Sequence, residues 1–246
     1  MKLLILLTLF SFNSFAFDHS HKDFNNILGE FVSVAGKQSS FDYKGLIDNS
    51  KSNKLFNGYL KTLSNVSNSE FKSFSADERL AFLINSYNAF TIKIIIKNYP
   101  VKSIKDIGSL FTNTWAIEFF HFLGEKSNLD NIEHNLIRKN FNEPRIHFAV
   151  NCASIGCPSL LNESFVSSQL EAQLSRVEKN FFANKIKNSI NTSKKVLHLS
   201  KIFKWYGGDF EKKYGSLKKY VSGRYNESVS NYSIEWNDYN WKLNMR

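Results

Sequence analysis

The stretch Pro144-Arg-Ile-His-Phe-Ala-Val-Asn-Cys-Ala-Ser-Ile-Gly-Cys-Pro158 is the most informative part of this 246-residue chain. It contains both cysteines of the protein, Cys152 and Cys157, and His147 lies five residues before the first of them. Apolar residues alternate with other residues over 146–151, which is the pattern of a β-strand. We therefore expect a strand that delivers Cys152 to its end, where side chains are often used for chemistry.

The first sixteen residues predict a secretory signal peptide. Lys2 forms a minimal positive region, an apolar run follows over 3–12, and Ser14-Phe15-Ala16 is a small-x-small cleavage site. The apolar run is too short to span a bilayer, and no later stretch approaches twenty apolar residues, so we expect no transmembrane segment. The mature chain should begin near Phe17 and be periplasmic or secreted.

Composition indicates a folded, basic protein. The chain is 42% hydrophobic and contains 23 phenylalanines, which is ample for a sizeable core and excludes intrinsic disorder. Its formal net charge is +10. Because we expect export, we predict an envelope substrate or ligand and no nucleic-acid partner, with at most weak contact to anionic membrane surfaces. Solubility alone also accounts for such a charge.

The patterns along the chain predict an α+β fold, a predominantly helical single domain around a small β-sheet. We expect a helical N-terminal segment over 17–74 and the main domain over 75–246. Ser75-Ala-Asp-Glu78 is a capping box that begins a long helix over 77–98, apolar on nearly all sides and therefore buried. Other expected elements are helices over 23–34, 52–63, 129–138 and 162–182, and a strand over 196–199.

Five sequence blocks resemble, in order and spacing, the domain of unknown function 547 (DUF547) family. The resemblance covers roughly residues 75–244. It implies no defined activity, because the family's biochemistry is unassigned, and its members are exported bacterial proteins and multidomain eukaryotic ones. Two departures, at Phe82-Leu83 and at Asn240-Trp241-Lys242, are packing variations. The blocks are Asn85-Ser-Tyr-Asn-Ala89, Ile132-Glu-His134 with Arg138, Arg145 to Pro158, Leu199-Ser-Lys-Ile-Phe-Lys-Trp-Tyr206 with Asp209-Phe210, and Tyr239-Asn-Trp-Lys-Leu-Asn244.

The two cysteines allow three interpretations. A local disulfide between Cys152 and Cys157 would suit an exported protein and contribute about 2 kcal/mol. Alternatively, Cys152 is a nucleophile. On a regular strand His147 points to the opposite face from Cys152, so His134 is then the better base. A metal site built from both cysteines and both histidines is weakly indicated by the C-x4-C spacing, and we predict no metal and no cofactor.

The polar residues around this segment suggest further roles. Arg145 and Arg138 could bind a carboxylate or phosphate bidentately, and Glu133 with His134 could act as acid and base. These four residues and His147 could instead form a buried ion-pair network between helix and strand. Buried amides need partners, so Asn85 and Asn88, taken together with Tyr87, either contact substrate or hold a neighbouring loop. The aromatic residues Trp205, Tyr206, Trp236, Tyr239 and Trp241 predict either a sugar-stacking platform or core packing.

The sequence thus supports two hypotheses of different class. In the first, the protein is a Cys/His-dependent hydrolase or acyltransferase of the cell envelope. Its catalytic residues would be Cys152, His134, His147 and Glu133, and its substrate-binding residues Arg145, Arg138, Asn85 and Asn88, with Asn85 or Glu133 orienting the histidine. In the second, it is a non-catalytic binding or scaffold module with a structural Cys152–Cys157 disulfide.

Overall fold

The computed structural model describes residues 16–109 and 112–246, so the predicted signal peptide lies outside the described residues except for Ala16. The N-terminal segment is helical, as expected, with one added hairpin. Its hairpin pairs Val32 with Phe41 and Ala35 with Gln38. The elements are α1 (Lys22–Phe31), β1 (Val32–Ala35), β2 (Gln38–Phe41), α2 (Tyr43–Asp48), α3 (Ser50–Asn65) and α4 (Asn68–Ser73).

Helix α5 (Ala76–Lys97) is the centre of the molecule. The predicted capping box begins it: the Glu78 amide donates to Ser75 Oγ, and the Ser75 amide donates to a Glu78 carboxylate oxygen. Within the described parts of the chain, α5 alone has the length and apolar composition of a membrane span. Its most apolar window is 83% buried inside the protein, which is equally characteristic of a core helix.

The second half of the chain surrounds one end of α5. A hairpin, β3 (Phe120–Phe122) and β4 (Glu125–Ser127), precedes a π-helix over Asn131–Arg138 and a 3-10 helix over Pro144–Phe148. A three-stranded sheet has the order β5-β6-β7, with β5 antiparallel and β7 parallel to the central β6. The remaining elements are α6 (Leu170–Ala183), β5 (Ser189–Asn191), β6 (Val196–Leu199), α7 (Lys201–Tyr214), α8 (Leu217–Tyr225) and β7 (Ser233–Trp236).

The strand expected over 146–151 is wrong. The chain there forms the 3-10 helix, which begins with Pro144 and is capped by the Glu143 carboxylate, an acceptor for the Arg145 amide at 3.1 Å. All five residues of this helix are buried. A short run that is buried on every side gives no reliable periodicity, which is why alternation indicated a strand.

Two helix predictions are corrected in their extent or type. The helix expected from residue 162 begins only at Leu170. A 3-10 turn over Ser167–Gln169 precedes it, and before that turn the Phe165 amide donates to Asn85 Oδ1 and the Val166 amide to Gln173 Oε1. The helix expected over 129–138 is mostly π-helical. The helices expected over 23–34 and 52–63 are present as α1 and α3, and the strand over 196–199 is present as β6.

The C-terminal tail joins the two halves of the chain. The Phe41 amide donates to the Asn244 carbonyl at 2.8 Å, and the Tyr43 hydroxyl donates to Asn244 Oδ1 at 2.8 Å. Farther along, the Gly156 amide donates to the Asn240 carbonyl at 2.8 Å. One continuous hydrophobic core runs from Phe24 to Leu243. The tail therefore fixes the N-terminal hairpin relative to the loop between Cys152 and Cys157, which we call the cysteine loop.

Candidate functional site

A cavity of about 310 Å³ lies beside the cysteine loop. Six parts of the chain form its wall: α5, the segment of Asn113 and Trp115, the π-helix with Asp130, the 3-10 helix with the loop that follows it, α7 and the C-terminal tail. The lining residues are Tyr87, Asn113, Trp115, Asp130, Glu133, His134, His147, Val150, Cys152, Cys157, Pro158, Ile202, Trp205, Tyr206, Tyr239 and Trp241.

The cysteine loop is closed by a disulfide between Cys152 and Cys157. The hydroxyl oxygen of Tyr239 lies 3.2 Å from both sulfur atoms. Gly156 makes this approach possible, because a Cβ at that position would come within 2.8 Å of the Tyr239 ring. The disulfide interpretation matches this geometry, and a bonded Cys152 has no thiolate with which to attack a substrate.

Four rings form what we call the aromatic rim of the cavity: Trp115, Trp205, Tyr239 and Trp241. Tyr239 is central, with ring centroids 4.8 Å from Trp205 and 4.6 Å from Trp241. Trp115 contacts Trp241 edge-on at 5.9 Å. Trp205 is 44% exposed, which is unusual for so large an apolar side chain and indicates a surface rather than a core role.

His147 is the polar centre of the site. Its ring is fully buried, and Nε2 lies 2.7 Å from Asp209 Oδ2. On the other side, Nδ1 lies 4.0 Å from Glu133 Oε1 and has no hydrogen-bond partner within the described parts of the chain. Burial lowers the pKa of His147, an effect that the neighbouring Asp209 and Glu133 only partly offset. The imidazole is therefore held in its neutral form.

Asp209 determines which nitrogen of His147 carries the proton. Burial by itself would raise the pKa of Asp209, but hydrogen bonds from His147 and Arg138 bring that pKa well below its ordinary value. An ionised carboxylate only accepts hydrogen bonds, so the proton of neutral His147 must be on Nε2. The lone pair of Nδ1 is then directed toward Glu133.

A break in α7 brings Tyr206 and Asp209 to His147. Tyr206 has a non-helical backbone (φ −117°, ψ 15°) and precedes Gly207-Gly208, and glycine pairs are a common cause of helix kinks. The Tyr206 ring stacks on His147 with centroids 3.9 Å apart. The kink thus places Tyr206 over one face of the imidazole and Asp209 at its edge.

Glu133 is buried at 4% exposure and is held by two phenols. The hydroxyls of Tyr87 and Tyr206 donate to its carboxylate. Burial, followed by the negative charge of Glu133, raises the pKa of both tyrosines well above the ordinary value, so both remain donors. Trp115 Nε1 in turn donates to the Tyr87 hydroxyl at 3.2 Å, which connects the aromatic rim to the carboxylate.

His134 is unsuited to the role of base that the sequence indicated. Its Nδ1 lies 3.0 Å from Arg138 Nη1, and because a guanidinium only donates, Nδ1 is the acceptor. The remaining nitrogen, Nε2, is then protonated and lies 3.6 Å from Asp130 Oδ1. His134 therefore presents an N–H donor rather than a free lone pair.

The two arginines are occupied by carboxylates of the protein. Arg138 makes a bidentate pair with Asp209, with N–O distances of 2.6 and 3.0 Å. Arg145 pairs with Glu143 and Glu171 at 2.7–2.8 Å. Neither guanidinium lines the cavity. Of the charged residues for which an ion-pair network was expected, Arg138 and Arg145 do form ion pairs, but their partners are Asp209, Glu143 and Glu171, and the Glu171 side chain is 77% exposed.

Asn85 and Asn88 hold loops in place. The side chain of Asn85 bonds both the carbonyl and the amide of Phe165, at 2.7 and 2.9 Å. Asn88 donates to the Ala149 carbonyl at 3.0 Å and accepts from the Asn151 amide at 2.8 Å. With both ends of each amide engaged by backbone, neither side chain lines the cavity.

Sequence reasoning missed several residues of the site. Asp209 stands in a block that carried the family resemblance, yet it received no role, and Asp130 was not considered; Tyr206 was weighed only for stacking or core packing, and Tyr87 only with the neighbouring amides. The available signal was the Gly207-Gly208 pair, which predicts a break in a helix just where an acidic residue follows. Within the described ranges, no group of three or more His, Cys, Asp or Glu side chains is placed to hold a metal ion.

Fold and site together define a mostly helical α+β domain with a disulfide-bordered cavity centred on a buried histidine. Residues 71–182 match the family model described as "Protein of unknown function, DUF547", which supports the family indicated by the sequence blocks. The match includes α5, the π-helix, the 3-10 helix and the cysteine loop, whereas Tyr206, Asp209 and much of the aromatic rim lie outside it. Searches of curated proteins and of solved structures gave no match.

Proposed function

We propose that the cavity is the active site of a histidine-dependent hydrolase or acyltransferase. The observation that carries this proposal is the environment of His147: Asp209 fixes Nε2 at 2.7 Å, while Nδ1 has a free lone pair 4.0 Å from Glu133. A carboxylate that orients a neutral imidazole, with the second nitrogen left to accept a proton, is the arrangement used by general bases in acyl transfer.

In the proposed reaction, a shift of the residues that bury His147 exposes Nδ1, which then removes a proton from water or from a substrate hydroxyl. The oxygen attacks the acyl carbon, and the imidazolium that forms is stabilised by Asp209. The proton then passes from Nδ1 to the leaving group as the acyl bond breaks, which restores the neutral base. The Nε2–H of His134 supplies a hydrogen bond to the oxygen that gains negative charge.

Cys152 enters this scheme only in the reduced protein. As a disulfide it forms part of the wall, and attack by its sulfur would first require an external thiol to reduce the bond to Cys157. The form with the disulfide intact therefore favours oxygen attack assisted by His147. Comparison of turnover before and after reduction separates this route from thiol catalysis.

Replacement of the base tests the proposal. We expect His147→Gln to lower turnover of a panel of nitrophenyl esters and anilides by about a hundredfold or more, the usual contribution of a general base. Asp209→Asn should also lower turnover. The control His121→Gln, at an exposed position of β3, should not. The double variant Cys152→Ser, Cys157→Ser should retain turnover. Equal turnover by wild type and His147→Gln, with and without reductant, would rule out the proposed base.

A second function, non-catalytic binding, is favoured by a different observation. The ring of His147 is completely buried beneath Tyr206, and both cysteines are paired. In that case the charged residues only maintain the shape of the cavity, and the aromatic rim binds the ligand. A ligand that binds equally well to wild type and to His147→Gln, with no chemical change in either, is the outcome expected for this alternative.

We also propose that the protein is exported and acts on an envelope component. The proposal rests on the signal-like N-terminus and on the Cys152–Cys157 disulfide, a bond that persists mainly in oxidising compartments. Fractionation of cells that express the full chain, with N-terminal sequencing, should find a periplasmic or secreted product that begins near Phe17. An intact N-terminus in the cytoplasmic fraction would contradict export.

A further inference from the structure

The charges around the cavity have the opposite sign to the charge of the whole protein. The chain carries a net +10, yet the described residues that line the cavity include the carboxylates Asp130 and Glu133 and neither lysine nor arginine. The nearest guanidinium, that of Arg138, is neutralised by its bidentate pair with Asp209. Although the protein is basic, the described lining of this cavity therefore carries carboxylates and no lysine or arginine.

The two carboxylates are costly where they lie. Burial raises the pKa of Asp130; His134 and a hydrogen bond from Asn113 oppose this effect, and the negative charge of Glu133 adds to it. Glu133 itself is 4% exposed. Like charges that share a partly desolvated space destabilise one another unless a positive group joins them. A cationic ligand would remove this repulsion, whereas an anionic ligand would increase it.

The aromatic rim adds a second feature that suits a cation. Trp115, Trp205, Tyr239 and Trp241 all line the cavity, and aromatic faces attract ammonium groups within about 6 Å. The protein already uses one of these rings in this way, because Lys105 Nζ lies 4.6 Å from the Trp241 ring centroid. Lys105 does not line the cavity, so its ammonium is not the occupant.

From this combination we infer that the cavity recognises an organic cation: the rim surrounds an alkylated ammonium group, and Asp130 provides its counter-charge. The inference rests on the proposed function only in taking this cavity as the functional site, and it names the class of substrate. It replaces the expectation that Arg138 and Arg145 would hold an anionic group. A substrate of this class carries its positive charge close to the bond that is attacked.

A pair of isosteric probes isolates the charge. Choline and its carbon isostere dimethylbutanol have nearly the same shape and differ in the ammonium nitrogen. We expect calorimetry, or the fluorescence of the rim tryptophans, to show choline binding at least about tenfold more tightly than dimethylbutanol, a difference of about 1.4 kcal/mol. Equal binding of the two probes, or binding of neither, would overturn the inference.

Variants locate the interaction within the cavity. Asp130→Asn should weaken choline binding about tenfold and leave the weak binding of dimethylbutanol unchanged, since only a charge is removed. Asp106→Asn, an exposed carboxylate outside the cavity, is the matched control and should bind choline like wild type. Trp205→Ala should weaken binding, and Trp205→Phe should restore most of it. Unchanged affinity in Asp130→Asn would overturn the assignment.

Neither probe contains an acyl bond, so the binding measurement is independent of turnover. If choline binds selectively and His147→Gln hydrolyses the ester panel as well as wild type does, the recognition inference stands and the proposed catalysis fails. If turnover depends on His147 but the two probes bind alike, the catalytic proposal stands and the cation inference fails.

Discussion

Two histidines on the wall of one cavity have different chemistry because their neighbours differ. Nδ1 of His134 accepts from Arg138, a group that never loses its proton, so His134 can offer only an N–H. Nε2 of His147 donates to Asp209, so His147 offers a lone pair. Residue type alone indicated two equivalent candidate bases; the partner of each nitrogen assigns the roles.

The sequence favoured His134 over His147 as the base because of one incorrect assumption about local structure. Strand geometry would have pointed His147 away from Cys152, and this made His134 the preferred base. The 3-10 helix over Pro144–Phe148 has a different side-chain period, and it directs His147 toward Asp209 and Glu133 instead. At the residue scale, therefore, the secondary structure of this segment changes which histidine is proposed as the base.

At the scale of elements, irregular helices build the site. The π-helix over Asn131–Arg138 carries Glu133 and His134, and π-helical turns are frequent at functional sites. The kink at Tyr206 interrupts α7 directly above His147. A regular helix in either place would give its side chains a different angular spacing, so the deviations are what bring Glu133, His147 and Asp209 within reach of one another.

The contact between the cysteine loop and the C-terminal tail can be tested at Gly156. A methyl group there would lie 2.8 Å from the Tyr239 ring, closer than carbon atoms tolerate. We expect Gly156→Ala to lower the free energy of unfolding by about 1–3 kcal/mol, the usual cost of overpacking, as measured by chemical denaturation. Tyr239 should also move from the disulfide, which would alter the aromatic rim and weaken ligand binding.

A second glycine provides the control for this substitution. Gly223 lies inside α8, is exposed, and has no atom within 4 Å of the position that its Cβ would take. Because alanine favours a helix over glycine, Gly223→Ala should stabilise the protein by about 0.5–1 kcal/mol. Should Gly156→Ala prove as stable as Gly223→Ala, the close packing of Tyr239 against the loop would be wrong.

For the whole molecule, features encoded by neighbouring residues were predictable from sequence. The capping box at Ser75 and the buried helix that follows it are confirmed, as are β6 and the mostly helical α+β class. The segment before Leu170 was not predictable, because its conformation depends on Asn85, eighty residues earlier in the chain. Long-range partners override local patterns there.

The site was predictable only in part, for the same reason. The segment with Cys152, Cys157 and His147 and the pair Glu133 and His134 were identified, and all five residues line the cavity. The pair of Arg138 with Asp209, the pair of Arg145 with Glu171 and the pairing of Asp209 with His147 join residues 26 to 71 positions apart, and of the described partners of Arg145 only Glu143 is a near neighbour in the chain. No periodicity or motif in the sequence indicates such pairings, because they form only in the folded chain.

The molecule brings three separated segments, around residues 133, 147 and 209, to one buried imidazole, and the central claim is that this imidazole is a neutral base. The most direct test is side-chain nitrogen NMR of His147 in the intact protein, titrated from pH 8 to about pH 5, across the ordinary histidine pKa of about 6.5. Because burial lowers the pKa of His147, we predict a protonated Nε2 and an unprotonated Nδ1 that persist below that value. A proton on Nδ1, or an imidazolium at neutral pH, would contradict the account.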